Sequence, residues 1–274
     1  MARLTRVNQI RNPPPLRRPP SRPAPPTPPP PPPTPPPPKR YYLGIGINYI
    51  GTRNELRGCV NDITNSSNFY KNKFPELQCS FLTDYTVTKP TRENILNELK
   101  RILSLCESGD TIILHYSGHG TNIRDNDNDE ADGRDECIVP VDLKFISDDE
   151  LSELLVANVK PNVFMLALFD SCFSGTVLDL QYTLVDNSIQ VNNNKPQPKG
   201  NVVLISGCTD NQTSADAYIN QNFSGAMTWA FLTCYPSSTS WLSLVENMKI
   251  LLRNNRFSQI PLLSYNTNCD TSLL

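Results

Sequence analysis

The chain has 274 residues, among them 26 prolines, 8 cysteines and only 2 histidines, and its formal net charge is −2. That charge joins two unlike parts: residues 1–40 hold 18 prolines and 8 Lys/Arg with no acid, while residues 41–274 carry 17 basic and 27 acidic side chains, −10 formally. An acidic body without a basic, aromatic-interleaved stripe excludes nucleic acid as the main partner and suits cationic peptides or metal ions. No apolar run approaches the roughly 18 residues that span a bilayer, so no membrane segment is expected.

The tract Pro13–Pro38 can form neither helix nor sheet, and predicts a disordered, extended tail over 1–40. Three readings stand open for it: a docking site for a polyproline-reading domain, a removable pro-segment, or a solubilising linker. The opening Met-Ala-Arg-Leu-Thr-Arg has no apolar stretch behind it, as in a chain without a secretory leader, and the prolines forbid an amphipathic transit helix. The eight scattered cysteines form no CxxC pair, which fits reduced thiols and an intracellular, cytoplasmic protein.

From Tyr41 onward strands and helices alternate. Tyr41–Asn48 is β-rich, Cys59–Lys73 reads as a helix, Ser80–Thr83 as a short strand, and Thr91–Leu105 carries the helical stripe Ile95, Leu99, Ile102, Leu103. Thr111–Tyr116 and Val163–Phe169 are continuous apolar runs, the pattern of central strands covered on both faces. Between them Ser147 and Glu150 mark a capping-box start to a helix over Ser147–Val156. Asn201–Ser206 reads as a strand, Gly225–Cys234 and Trp241–Arg253 as helices, and Pro261–Tyr265 as a last strand. This alternation predicts an α/β fold, a mainly parallel sheet with helices on both faces. The Asn-, Lys- and Pro-rich stretch 186–200 reads as an exposed loop dividing the body into a larger region, 41–185, and a smaller one, 201–274.

In an open α/β sheet, functional groups collect beyond the C-terminal strand ends. Thr111–Tyr116 runs into Ser117-Gly118-His119-Gly120, and Val163–Phe169 into Asp170-Ser171-Cys172-Phe173-Ser174-Gly175. If those strands are neighbours, His119 and Cys172 share an edge, and an imidazole there raises the thiolate fraction of Cys172 and later protonates a leaving amine. The backbone N–H groups of Gly118 and Cys172 are the expected oxyanion donors. The other histidine, His115, sits mid-strand and reads as a packed core residue.

The runs His115–Gly120 and Asp170–Gly175 resemble the two active-site motifs of metacaspases. Gly58–Asp62, Asp135–Asp142 and Ser206–Asp216 match further motifs in the right order, so the resemblance covers Tyr41 to the C-terminus. A proline-rich front and a short inter-subunit loop look like the type I subgroup; Phe173, where the family usually has His, departs from it. The resemblance implies a caspase–hemoglobinase fold with a six-stranded, mainly parallel sheet, endopeptidase activity after Arg or Lys, peptide or protein substrates, and a monomer. By the same carry-over, Cys59, Asp62, Ser117 and Asp170 line the pocket for the basic side chain. A carboxylate two residues before the nucleophile supports this, since it lies beside the scissile bond and can take a guanidinium through charge-assisted hydrogen bonds.

Metal chemistry is expected too. Asp125, Asp127, Asp129 and Glu136 fall at positions 1, 3, 5 and 12 of an EF-hand loop, but Glu130 stands where glycine is required and strands flank it, so this is no EF-hand. The resemblance implies a different Ca²⁺ site built from Asp135, Asp148, Asp149 and Asp179, whose hard oxygens suit that ion. Asp148 and Asp149 also suit a helix N-terminus. Autocleavage is expected after Lys199 or Arg40; Lys195 is followed by Pro196 and should resist. The alternative function is a weakly active or inactive caspase-like scaffold that docks partners through its proline tail.

Overall fold

The computed structural model describes residues 37–124, 134–172, 177–185, 188–193, 196–207, 216–219, 222–266 and 272–274. The proline tract to residue 36, Asp125, Asp127, Asp129, Glu130, Phe173 and Lys195 lie outside the described residues.

In chain order the first half comprises β1 (Arg40–Gly46), α1 (Cys59–Lys73), β2 (Gln78–Thr83), α2 (Arg92–Leu105), β3 (Thr111–Ser117), β4 (Gly120–Arg124) and β5 (Arg134–Ile138). There follow β6 (Ile146–Ser147), α3 (Asp148–Asn158), β7 (Phe164–Asp170), β8 (Tyr182–Val185), β9 (Ser188–Val191) and β10 (Asn201–Ser206). The chain then forms the hairpin β11 (Asp216–Ile219) and β12 (Asn222–Gly225), α4 (Ala226–Cys234), α5 (Trp241–Asn254) and β13 (Leu262–Tyr265). The helices start where side chains can cap them: Thr91 accepts from Asn94 N, Ser147 from Glu150 N, and Ser240 from Ser243 N.

Among the described residues the main sheet has eight strands, not six, in the order β2-β1-β3-β7-β10-β13-β8-β9. The first five are mutually parallel. β13 returns antiparallel to β10, and β8 and β9 extend that side antiparallel. The extra pair comes from the stretch around the dividing loop, whose polar composition masks its strand character; all of β9 is exposed. A second, three-stranded sheet (β4-β5-β6) and the β11-β12 hairpin complete the strands.

Side-chain alternation splits the core between the two faces. Tyr41, Leu43, Ile45, Ile112, Leu114, Tyr116, Met165, Ala167 and Phe169 pack with α2 and α3. Tyr42, Ile113, Leu166 and Leu168 pack with α4, α5 and Tyr70 of α1. The same period puts His115, Ser117 and Asp170 on the α1/α4 face, at the end of the sheet where β3 and β7 stop. No helix among the described residues is long and apolar enough to cross a membrane.

Candidate active site

β3 and β7 are adjacent and parallel, with Ser117 opposite Asp170. His119 and Cys172 therefore follow two residues later on neighbouring turns. The two turns touch: a Cβ on Gly120 would stand 1.8 Å from the carbonyl oxygen of Cys172, so only glycine fits there. Cys172 is half-buried.

His119 is held from several sides. Its N–H donates to the Tyr49 hydroxyl (2.9 Å), the Tyr116 hydroxyl donates to its carbonyl (2.6 Å), and Val139 N donates to the same carbonyl (3.1 Å). The Tyr49 ring lies against the imidazole, centroids 4.6 Å apart. Nε2 lies 2.7 Å from the carbonyl oxygen of Asn54. A carbonyl only accepts, so Nε2 carries the hydrogen and, in the neutral ring, Nδ1 is the basic nitrogen. Tyr49 and Asn54 sit in the loop before α1, remote in sequence and without a recognisable pattern, and sequence reasoning missed both.

One expected donor is otherwise engaged. The Gly118 N–H donates to the Asp170 carbonyl (3.3 Å), carrying the β3–β7 ladder one step past Ser117. In contrast, the Val139 N to His119 O bond makes Gly120 and Ile138 a non-hydrogen-bonded pair, which turns the Gly120 N–H away from β5. The Gly118 N–H is thus committed to the β3–β7 ladder, whereas the Gly120 N–H is not used by β5.

Beneath these turns lie two buried carboxylates. Asp62, one turn into α1, accepts from the hydroxyls of Ser117 (2.7 Å) and Ser224 (2.6 Å) and from Gly225 N (2.9 Å). Asp170 accepts from both the N–H and the hydroxyl of Thr228, each 2.8 Å away. Gly225 is the N-cap of α4 and offers no side chain to it, so carboxylates from α1 and β7 take over the capping of its free N–H groups. The fit is tight: a Cβ on Gly225 would fall 2.1 Å from Asp170 and 2.8 Å from Asp62. Burial, then the Asp170 charge, raises the Asp62 carboxyl to about 7. Cys59, buried at the start of α1, completes the expected pocket group. Ser224, Gly225 and Thr228 have no motif to announce them and were not foreseen.

A second acidic group lies on the other face. Ligand atoms of Asp148, Asp149 and Asp179 all fall within 4.8 Å of one another. Asp148 accepts from Glu136 N (3.1 Å) and Asp149 N (2.9 Å), while burial and then Asp179 raise its carboxyl to about 7. Asp135 is buried on β5, next to Glu136, and is not within that group of three. Asp179 adopts a left-handed backbone (φ 46°), and its carbonyl accepts from Gln197, whose own oxygen accepts from Gln181 N.

Of the two candidate cleavage points, Arg40 is a strand residue and Lys199 lies two residues before β10. Arg40 opens β1, its guanidinium paired with Glu76 and 4.4 Å above the Phe74 ring. The Lys199 side chain is exposed, but Gly200 is buried: a Cβ there would come 2.5 Å from the Lys160 carbonyl, and its own carbonyl accepts from Asn266 (2.6 Å).

Comparison with known proteins decides what this site belongs to. The profile of the metacaspase, peptidase C14 domain matches residues 40–181. The chain belongs to the metacaspase family. Metacaspase-1 of Meyerozyma guilliermondii is 38% identical over 280 residues, covering 80% of this chain and 68% of that protein. Metacaspase-1 of Schizosaccharomyces pombe is 33% identical over 294 residues, covering 86% and 69%. A crystal structure of a Geobacter sulfurreducens protein superposes with a TM-score of 0.65 at 24% identity, covering 86% of this chain and 97% of that one, a likeness of fold. The fold is that of caspases and hemoglobinases, and the metacaspase is a cysteine peptidase acting on protein substrates.

Proposed function

We propose that this metacaspase is a Ca²⁺-dependent endopeptidase that cleaves after Arg or Lys, with Cys172 as nucleophile and His119 as its proton-transfer partner. The observation that carries the reading is the pair of buried carboxylates: Asp170, two residues before Cys172, and Asp62, which accepts from Ser117, two residues before His119, both surrounded by hydrogen-bond donors. Such a slot favours a guanidinium or ammonium group and disfavours an acidic side chain.

The chemistry follows from the tautomer. With Nε2–H donated to Asn54, Nδ1 takes the thiol proton of Cys172, and the thiolate sulfur adds to the scissile carbonyl carbon. The oxyanion is received by backbone N–H groups, of which Cys172 and Gly120 are the candidates. As the tetrahedral adduct collapses, the C–N bond breaks and the imidazolium returns its proton to the leaving amine. Water, deprotonated by the same nitrogen, then hydrolyses the thioester.

Asp148, Asp149 and Asp179 offer hard carboxylate oxygens close enough to hold one Ca²⁺, and Asp135 is the fourth candidate ligand. When bound, the ion neutralises their mutual repulsion and ties the segment after Cys172 to α3. Self-cleavage belongs to the same reading, with Arg40 and Lys199 as candidate positions. Both bonds sit at the head of sheet strands, so cutting either requires local opening first.

The test is a Ca²⁺ titration of wild type and Cys172→Ala with peptides ending in Arg or in Asp. The expected result is Ca²⁺-dependent turnover of the Arg peptide alone, lost in the variant; turnover of the Asp peptide, or retained activity in Cys172→Ala, overturns the reading. Mass spectrometry after Ca²⁺ addition reads self-cleavage.

A further inference from the structure

His115 is fully buried in the middle of β3, yet it packs as more than a filler. Its Nδ1 lies 2.6 Å from Ser66 Oγ and its Nε2 3.3 Å from Thr228 Oγ1. Tyr42 OH, in turn, is within hydrogen-bonding distance of Ser66 Oγ. Strand alternation puts Tyr42 and His115 on the α1/α4 face, the face that also carries Ser117 and Asp170.

The proton positions in this chain can be deduced from its end. Asp170 Oδ2 accepts the Thr228 N–H, so it is an acceptor, and the single hydroxyl proton of Thr228 is directed at it. Thr228 Oγ1 can then only accept from His115, which places the imidazole hydrogen on Nε2. Nδ1 is left as the acceptor for Ser66, while the Tyr42 hydroxyl donates to the Ile63 carbonyl (2.9 Å). Burial keeps the imidazole neutral, lowering its pKa to about 3, so this tautomer holds across the whole working pH range. From Ser66 through His115 to Thr228 the protons point the same way, towards one carboxylate, and such chains polarise cooperatively.

We infer that Thr228 and His115 are positioning residues for substrate recognition: the chain Ser66, His115, Thr228 locks the Thr228 hydroxyl as a donor to Asp170, fixing that carboxylate as an oriented anchor for the basic side chain of the substrate. The inference rests on the basic-residue specificity proposed above. Neither residue touches the reacting atoms, so the expected signature is in binding, not in turnover.

The experiment measures kcat and KM for an Arg-terminated peptide, and agmatine affinity by calorimetry in the Cys172→Ala background. Thr228→Val keeps the shape and removes the hydroxyl; KM and the agmatine Kd should rise roughly tenfold or more, with kcat within about twofold. Thr228→Ser should restore both. His115→Phe should raise KM in the same sense, and the double variant His115→Phe/Thr228→Val should be no worse than Thr228→Val alone, because one acts through the other. Ser66→Ala, a smaller packing change, gives a second reading should Thr228→Val fail to fold. Unchanged KM in a folded Thr228→Val or Ser66→Ala, or additive effects in the double variant, overturns the inference. If the wild type itself neither prefers Arg nor binds agmatine, the specificity reading fails; if it does both and the variants match it, only the positioning role falls.

Discussion

Two groups of buried carboxylates on opposite faces of one sheet solve the same electrostatic problem differently. Asp62 and Asp170 are surrounded by fixed donors: three hydroxyls and the N-terminal N–H groups of α4. Asp148, Asp149 and Asp179 are crowded together, and the donors to Asp148 are two backbone N–H groups. A site whose donors are built in can stand preformed, waiting for a cationic side chain. A site whose carboxylates face one another gains from a proton, as the raised Asp148 carboxyl shows, or from a cation between them. On the function proposed above, the first arrangement serves recognition and the second regulation, and each invites a different perturbation.

The largest expected effect is at the reacting atom. Cys172→Ala should lower kcat by roughly 10⁴-fold or more while leaving the thermal midpoint nearly unchanged, checked by single-turnover assay and calorimetry. Next comes the preformed site. Gly225→Ala drives a methyl group into both Asp170 and Asp62, and should cost about 2–4 kcal/mol of stability together with most activity on Arg peptides. The crowded site should respond to metal instead of packing. Ca²⁺ at about a hundredfold excess over its Kd should add about 2.7 kcal/mol, several degrees in Tm, and Asp179→Asn should abolish that shift.

Dependence on pH sharpens the contrast further. The folded Asp62 carboxyl titrates above its unfolded value, so its contribution to stability is fully present below the unfolded pKa of about 3.8 and is lost as pH rises through about 7. On the proposed specificity, binding runs the opposite way: KM for an Arg peptide should fall as pH rises through that window, because Asp62 attracts the guanidinium only when ionised. A flat KM between pH 5 and 8 would place the binding charge elsewhere. The smallest effect is at the support of His119. Tyr49→Phe removes the hydroxyl that accepts from His119 N and donates to Val139 O, and should lower kcat by a few-fold with KM unchanged.

The elements were legible wherever the signal is local. The helix over Cys59–Lys73 matches α1 residue for residue, Ser147 caps α3 as its side chain promises, and the apolar runs 111–116 and 163–169 are the central strands β3 and β7. β8 and β9 were not legible, because strands of only four residues at a sheet margin are too short to carry a distinctive period. Gly118 shows a subtler limit. A glycine beside the histidine looks like an oxyanion donor, but which N–H faces the cleft depends on ladder phase, and the ladder engages Gly118 and turns Gly120 away from β5.

His119 and Cys172 thus stand where the sequence alone put them, since each follows a buried strand and the motifs carry that fact in a few consecutive residues. The sequence also determined the residue types around them: thiol, imidazole and an excess of carboxylates. Only the tertiary structure decided which of those carboxylates are paired, and with what. Asp62 meets Ser224 across 162 residues, and His115 meets Thr228 across 113. Contacts at that separation leave no periodicity in the chain; they exist because sheet order and strand phase bring α1, β3, β7 and the start of α4 to one point.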